Sequence, residues 1–271
     1  MFREKCTVLE NREVAPGHFC LVLRSPKIAR KALPGQFVQI LCSDSYDPLL
    51  PRPFSFLETT SNSISILYQV VGKGTKVLEL VKKGDLLWVL GPLGKGFGSR
   101  IGTPKKQTAV LVGGGVGIPP LYHLAKAWAS GKGGPKKRSI HVFLGARNKD
   151  LLLAEKEFKK LGVGLHVSTN DGSKGHRGFV TEILEDLLKS KERGSVKVYT
   201  CGPTSMLKAV SALTSKYRVP CEVSVEVPMA CGFGACLGCA LKVKGTEGQD
   251  HRFAIACCEG PVFCGEEVLW D

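Results

Sequence analysis

Thr108-Ala-Val-Leu-Val-Gly-Gly-Gly-Val-Gly-Ile-Pro-Pro120 is the stretch from which the architecture of this chain is read. It begins as a short apolar strand. It then passes through Gly113, Gly114, Gly115, Val116 and Gly117, where a backbone can turn sharply and be approached closely. Leu121 to Ala129 has helical spacing. Proline near the first helical turn is well placed, because the N–H it lacks would have had no partner there. Strand, glycine turn and helix together form the opening unit of a parallel sheet covered by helices.

The alternation continues downstream. Ile140 to Leu144, Leu165 to Ser168 and Val196 to Thr200 read as strands. Ala154 to Leu161, Gly178 to Leu184 and Thr204 to Leu213 read as helices. Upstream, residues 1 to about 100 read as all-β, with alternating runs at Cys20–Arg24, Gln36–Ile40, Ser63–Val71 and Asp85–Leu90. Gly and Pro punctuate these runs at Pro34-Gly35, Pro51 to Pro53 and Gly72 to Gly74, as in a barrel or sandwich. A short helix is expected after Gly74. The tail from about Glu226 is rich in Gly and Cys, with little helix signal. The expected fold is therefore multi-domain α+β: an N-terminal antiparallel β-barrel (1–101), a central α/β parallel-sheet domain (102–225) and a small C-terminal module (226–271).

The chain of 271 residues is 43% hydrophobic, enough for a substantial core. No apolar run approaches the length of a membrane span, and Met1-Phe-Arg-Glu-Lys-Cys has no secretory h-region. The expectation is a cytoplasmic protein. Of 11 cysteines, six fall in the last 41 residues, and in a reducing compartment such clustering favours metal ligands over disulfides. Cys20 and Cys42 read as small buried hydrophobes. The segment 226–271 carries 3 basic and 7 acidic residues, whereas the remainder carries 35 and 17. The basic run Lys136-Lys137-Arg138 lies in a Gly/Pro-rich stretch without stacking aromatics, so it reads as a solvated loop and not a nucleic-acid patch.

Three motifs carry chemistry. Cys231, Cys236 and Cys239 have the spacing C-x4-C-x2-C, and Cys257 follows after 17 residues, as in plant-type [2Fe–2S] sites. Four thiolates must converge on two irons from one tight loop, and Gly232, Gly234, Ala235 and Gly238 let the chain fold that tightly. Zinc is the alternative, but zinc sites pair two short hooks, and one hook is present here. Spacing alone leaves Cys258, and more remotely Cys264, open as fourth ligand. The second motif is the loop Gly113–Gly117, which suits a pyrophosphate against a helix N-terminus and is supported by Cys201-Gly202-Pro203 after a later strand. By itself such a loop is equally an ordinary βα turn. The third is Arg52-Pro53-Phe54-Ser55, whose guanidinium fork and hydroxyl suit a phosphate or a flavin carbonyl. It is paired with the strand holding Leu67, Tyr68 and Gln69, which runs into Gly74-Thr75. The six histidines share no ligand spacing and read as surface or packing residues.

With these residues assembled, the chain resembles the ferredoxin–NADP reductase superfamily. Within it, the chain is most similar to the electron-transfer subunits of class 1B dihydroorotate dehydrogenases. The resemblance rests on Arg52–Ser55, Tyr68–Thr75, Gly113–Pro120, Cys201–Pro203, Met229–Cys239 and Cys257–Phe263, and it covers nearly the whole chain. It implies FAD held by Arg52, Pro53, Phe54, Ser55, Leu67, Tyr68, Gln69, Gly74 and Thr75. It implies exchangeable NAD at Gly113, Gly114, Gly115, Val116, Gly117, Cys201, Gly202 and Pro203. It also implies a [2Fe–2S] cluster on Cys231, Cys236, Cys239 and Cys257, with Gly260-Pro-Val-Phe263 selecting Cys257 over Cys258. Glu259 stands where the family often has Asp, and Gln69 where it often has Arg. The implied function is electron transfer from the FMN of a catalytic partner subunit, in a heterotetramer of two of each, to NAD+ in pyrimidine synthesis. No side chain is expected to act as acid or base. The alternatives are a related reductase subunit of a transhydrogenase, sulfide dehydrogenase or hydrogenase, and a non-enzymatic zinc- or cluster-binding regulator.

Overall fold

A computed structural model describes residues 1–103, 107–131, 133–190, 195–246 and 248–270. Strands β1 (Phe2–Ala15), β2 (His18–Arg24), β3 (Phe37–Leu41), β4 (Arg52–Thr59), β5 (Ser63–Gln69) and β6 (Leu86–Leu93) close into a barrel in the order β1-β2-β5-β4-β3-β6. Closure leaves no open sheet edge. Alternate residues fill the interior, among them Val38, Ile40, Phe56, Ile64, Ile66, Tyr68 and Val89. Two short helices, α1 (Pro26–Ala29) and α2 (Lys73–Glu79), sit in the connections. The helix expected after Gly74, from Thr75, therefore starts two residues earlier, at Lys73.

The second sheet begins with β7 (Thr108–Gly114), β8 (Ile140–Ala146), β9 (Gly164–Thr169), β10 (His176–Arg177), β11 (Val196–Cys201) and β12 (Cys221–Ser224). These strands are parallel, in the order β10-β9-β8-β7-β11-β12. Helices α3 (Ile118–Ala129), α4 (Glu155–Leu161), α5 (Val180–Ser190) and α6 (Thr204–Tyr217) cover it. Val180, Leu184 and Leu188 recur at one-turn spacing and form the buried stripe of α5. The order reverses at β7, so the crevice for a ligand opens at the C-terminal ends of β7 and β11. Lys136 and Lys137 are exposed, as expected for a solvated loop.

The tail holds more regular structure than its composition suggests. Strands β13 (Ala240–Lys244) and β14 (His251–Ile255) form a hairpin, and α7 (Ala256–Glu259) follows. Strand β15 (Val262–Cys264) then adds an antiparallel edge to β12, with Cys264 opposite Glu222. One hydrophobic core runs through all three regions, joining Phe37 and Leu93 to Val223, Cys239, Cys257 and Phe263. Among the described residues no helix is long and apolar enough to cross a membrane.

Candidate functional site

The two glycine markers expected to act together do meet. Strands β7 and β11 are neighbours, with Gly113 opposite Cys201. A Cβ at Gly117 would stand 2.3 Å from the Gly202 nitrogen, so the two loops touch backbone to backbone. Gly115 has a φ of +55° and open space beside its Cα. The first turn of α3 points into that space with Pro119 and Pro120 inside it. The result is a backbone lip at a helix N-terminus, half-buried at Gly115 and Val116, which fits a pyrophosphate. Burial pushes the Cys201 thiol up to about 12, so it lies beside the lip as a neutral group. Arg147 and Lys149, just beyond β8, are exposed near the same end of the sheet.

On the barrel, the strand carrying Arg52–Ser55 is β4, and Leu67–Gln69 lie on its neighbour β5. Phe54 packs with the barrel core, which turns Pro53 and Ser55 to the outer face. Leu67 also faces outward and packs with Ile118 and Leu121 of α3. Tyr68 points inward, hydrogen-bonds Asn11 at 3.2 Å and packs on Phe19 and Phe54. Only its main chain is therefore available to an outer ligand. Gly74 lies beneath the Arg52 side chain, 3.0 Å from Nε to the position of a Cβ. The Thr75 hydroxyl accepts the N–H groups of Val71 (2.9 Å) and Gly72 (3.1 Å), which shapes the start of α2. A guanidinium over a glycine at a helix start suits a flavin nucleotide's phosphates.

The four cysteines group in two pairs. Cys231 and Cys236 interact through their side chains, and the Cys236 N–H donates to Cys231 Sγ at 3.4 Å. Cys257 interacts with Cys239, and its N–H donates to Cys239 Sγ at 3.4 Å. The Gly238 N–H donates to Cys236 Sγ at 3.5 Å. Among the described residues no three metal-binding side chains converge on one point. Two thiols and two thiols is the arrangement that a two-iron cluster requires. Burial opposes ionisation of Cys231, yet the N–H groups of Phe233, Cys236 and Ala235 bring its thiol down to about 6. Burial and the crowding of Cys239 and Cys258 push Cys257 up, a charge conflict that bound iron would relieve. Cys257 is buried on α7, whereas Cys258 is exposed, with its sulfur 3.7 Å from that of Cys257.

Some residues at these junctions carry no sequence signature. Glu222 of β12 is fully buried and accepts the N–H groups of Gly98 (2.6 Å), Arg100 (2.8 Å) and Ile101 (3.1 Å). Arg100 reaches onward to the Glu259 carbonyl at 2.7 Å and lies over the Phe263 ring. Together they tie the segment leaving the barrel to the sheet and to the cysteine region. A buried carboxylate with no local motif around it has no signal that spacing or composition can reveal.

Two protein-family models match the chain. "Oxidoreductase NAD-binding domain" covers residues 111–212, and "Iron-sulfur cluster binding domain of dihydroorotate dehydrogenase B" covers residues 226–269. The chain is 39% identical over 269 residues to the dihydroorotate dehydrogenase B (NAD(+)) electron transfer subunit of Fusobacterium nucleatum, covering 98% of both chains. It is also 39% identical to the protein of that name from Caldanaerobacter subterraneus, covering 99% of both. Among solved structures, a chain of the NADH-dependent reduced ferredoxin–NADP oxidoreductase, studied for flavin-based electron bifurcation, superposes with a TM-score of 0.84. It is 33% identical, and the match covers 99% of this chain and 91% of that one. A ferredoxin NADP+ reductase from Neisseria gonorrhoeae with bound FAD and NADP shares the fold at a TM-score of 0.66 and 13% identity, over 79% of this chain and 91% of that one.

Proposed function

The chain belongs to the family of dihydroorotate dehydrogenase B electron transfer subunits, and from that premise we propose that it carries electrons from the FMN of a dihydroorotate dehydrogenase catalytic subunit to NAD+ in pyrimidine synthesis. Its cofactors are FAD and a [2Fe–2S] cluster, which when bound supply hydride exchange with nicotinamide on one side and single-electron exchange on the other. The partner is the FMN-containing subunit, in an assembly of two copies of each. Dihydroorotate oxidation belongs to that partner.

The observation that carries this reading is the position of β3. It pairs with β4, the strand of Arg52–Ser55, and its outer face abuts Gly232 of the cysteine loop. The flavin strand and the cluster loop therefore flank a single strand, and neighbouring strands lie only about 4.8 Å apart.

In this assignment Arg52, Gly74 and Thr75 bind the FAD phosphates, and Pro53, Phe54, Ser55, Leu67, Tyr68 and Gln69 form the wall beside its ring, Phe54 and Tyr68 through their main chains. Gly113, Gly114, Gly115, Val116 and Gly117, with Cys201, Gly202 and Pro203, form the lip that seats NAD. Cys231, Cys236, Cys239 and Cys257 hold the iron. No side chain is assigned as acid or base; the chain orients its cofactors and keeps water from them. We divide it at 1–101, 102–225 and 226–271, with β15 returning from the third region to the sheet of the second. We place the protein in the cytoplasm, because none of the 11 cysteines is in a disulfide, as suits a reducing compartment.

The test is reconstitution. The chain purified with its FMN partner should reduce NAD+ with dihydroorotate. The chain alone should hold two irons and one FAD and oxidise NADH with an artificial acceptor. Oxidation of dihydroorotate by the isolated chain at the rate of the complex would overturn the assignment. A second reading, a subunit of an NAD(P)H transhydrogenase, is favoured by the full-length match to the ferredoxin–NADP oxidoreductase chain. The native partner decides between them: an FMN-containing barrel supports the first, a glutamate-synthase-like subunit the second.

A further inference from the structure

Gln39 sits at the meeting point of the two cofactor sites, and its side chain is stranded. It is 1% exposed, and among the described residues neither Oε1 nor Nε2 has a hydrogen-bond partner. Buried polar atoms in folded proteins are nearly always bonded, so a carboxamide with both ends free marks a place kept for something else. Its main chain pairs with Pro53 on β4 and Leu90 on β6. Its neighbours Val38 and Ile40 point into the barrel, so Gln39 points outward, as does Phe37, which packs in the same core as Cys239 and Cys257. Gly232 lies directly opposite. A Cβ on Gly232 would stand 2.6 Å from Gln39 Cγ, 2.8 Å from Nε2 and 3.1 Å from Cδ. The carboxamide thus fills the space over the residue next to Cys231.

We propose that Gln39 Nε2 donates an N–H···S hydrogen bond to the [2Fe–2S] cluster on its Cys231 side, so that a barrel residue positions and tunes the cluster. The proposal rests on the cluster reading of the four cysteines. Thiolate and sulfide sulfurs accept hydrogen bonds and offer no protons, so they match the donor end of the amide. The loop's own N–H groups already serve Cys231 and Cys236, and the Cys257 N–H of α7 serves Cys239. Gln39 approaches from the opposite wall. Across its own strand pair stands Pro53, which has no N–H to offer. A hydrogen bond to cluster sulfur is stronger when the cluster carries its extra electron, so Gln39 raises the reduction potential. Because β3 is also the neighbour of the flavin strand, the same contact fixes the cluster loop against the barrel.

The experiment uses the complete complex carrying Gln39→Leu or Gln39→Glu. Both should retain iron, sulfide and FAD. In Gln39→Leu the ratio of reduced to oxidised cluster at a fixed potential should fall about tenfold, which is about 59 mV for a one-electron couple. Gln39→Glu should lower it further, because a carboxylate repels the added electron. The g values of the reduced cluster's electron paramagnetic resonance spectrum should shift, while the flavin's potential and visible spectrum stay as in the wild type. Unchanged cluster potential and spectrum in both variants would overturn the proposal, and so would a shift confined to the flavin. Loss of iron from both variants, with wild type still loaded, would overturn the tuning role in favour of a purely structural one. A wild-type protein without iron would instead sink the cluster reading beneath it.

Discussion

Gly117→Ala should disable the nicotinamide site while leaving the rest of the protein intact. Gly117 has a φ of −80°, a conformation alanine adopts freely, so the cost comes from sterics alone. The added methyl would stand 2.3 Å from the Gly202 nitrogen and 2.4 Å from both the Cys201 carbonyl carbon and the Gly202 Cα. Ordinary contact begins near 3.4 Å, so the two loops must part by about 1.1 Å. All three atoms are backbone at the end of β11, which is held between β7 and β12, so no side chain can rotate aside. Overpacking of this kind costs about 1–3 kcal/mol in stability. The larger effect is on geometry, because a displacement of about 1 Å in a substrate cradle can cost about a hundredfold in rate. The assay is stopped-flow bleaching of the flavin by NADH, with iron and FAD quantified on the same sample. We expect kcat/KM for NADH to fall about a hundredfold at full cofactor content. Wild-type kinetics in a fully loaded Gly117→Ala protein would show that the lip between Gly117 and Gly202 does not seat the nicotinamide nucleotide.

Glu222→Gln should lower stability by about 2 kcal/mol, because a neutral amide replaces the buried carboxylate that binds three N–H groups; by calorimetry Tm should drop by about 4–8 °C, and an unchanged Tm would deny the clamp its role. Arg52→Ala should weaken FAD binding by roughly thirtyfold, the equivalent of one charged hydrogen bond of about 2 kcal/mol, as read by fluorescence titration of the apoprotein. Cys257→Ser should lose the cluster's visible absorbance and iron, while Cys258→Ser, at an exposed position, should keep both; the reverse pattern would make Cys258 the fourth ligand.

The α/β region was the most legible part of the sequence. Its strands are short, apolar and separated by amphipathic helices, so local periodicity identifies them. The barrel was partly legible. Strand β1 carries no strand signal of its own, because its side chains between Phe2 and Ala15 are mostly polar or charged and only Cys6 and Val8 are buried. Its strand character comes from pairing with β2 on one side and β6 on the other. The tail's hairpin and β15 were hidden in the same way. Strand β13 buries only Val243 and β14 only Ala254, so neither carries a buried apolar stripe, and β15 is a strand only because β12 lies beside it. Tyr68 shows the limit of motif reading: its neighbourhood was identified, but the parity of β5 turns its ring into the barrel core.

The four cysteines, the glycine loop and the Arg52 segment could be recognised from sequence because each is a local constellation. Three of the thiols lie within one loop of nine residues, Cys231 to Cys239, and a loop's conformation follows from its own glycines. Tertiary structure alone decided which distant residues serve those loops. It set Gln39 against Gly232, Glu222 against Gly98–Ile101, and buried Cys257 while leaving Cys258 exposed. The Gln39 and Glu222 contacts join positions 121 to 193 residues apart, through strand pairing and a shared core. No spacing rule along the chain encodes such a pairing, because what selects it is the burial of apolar faces, a property of the whole fold.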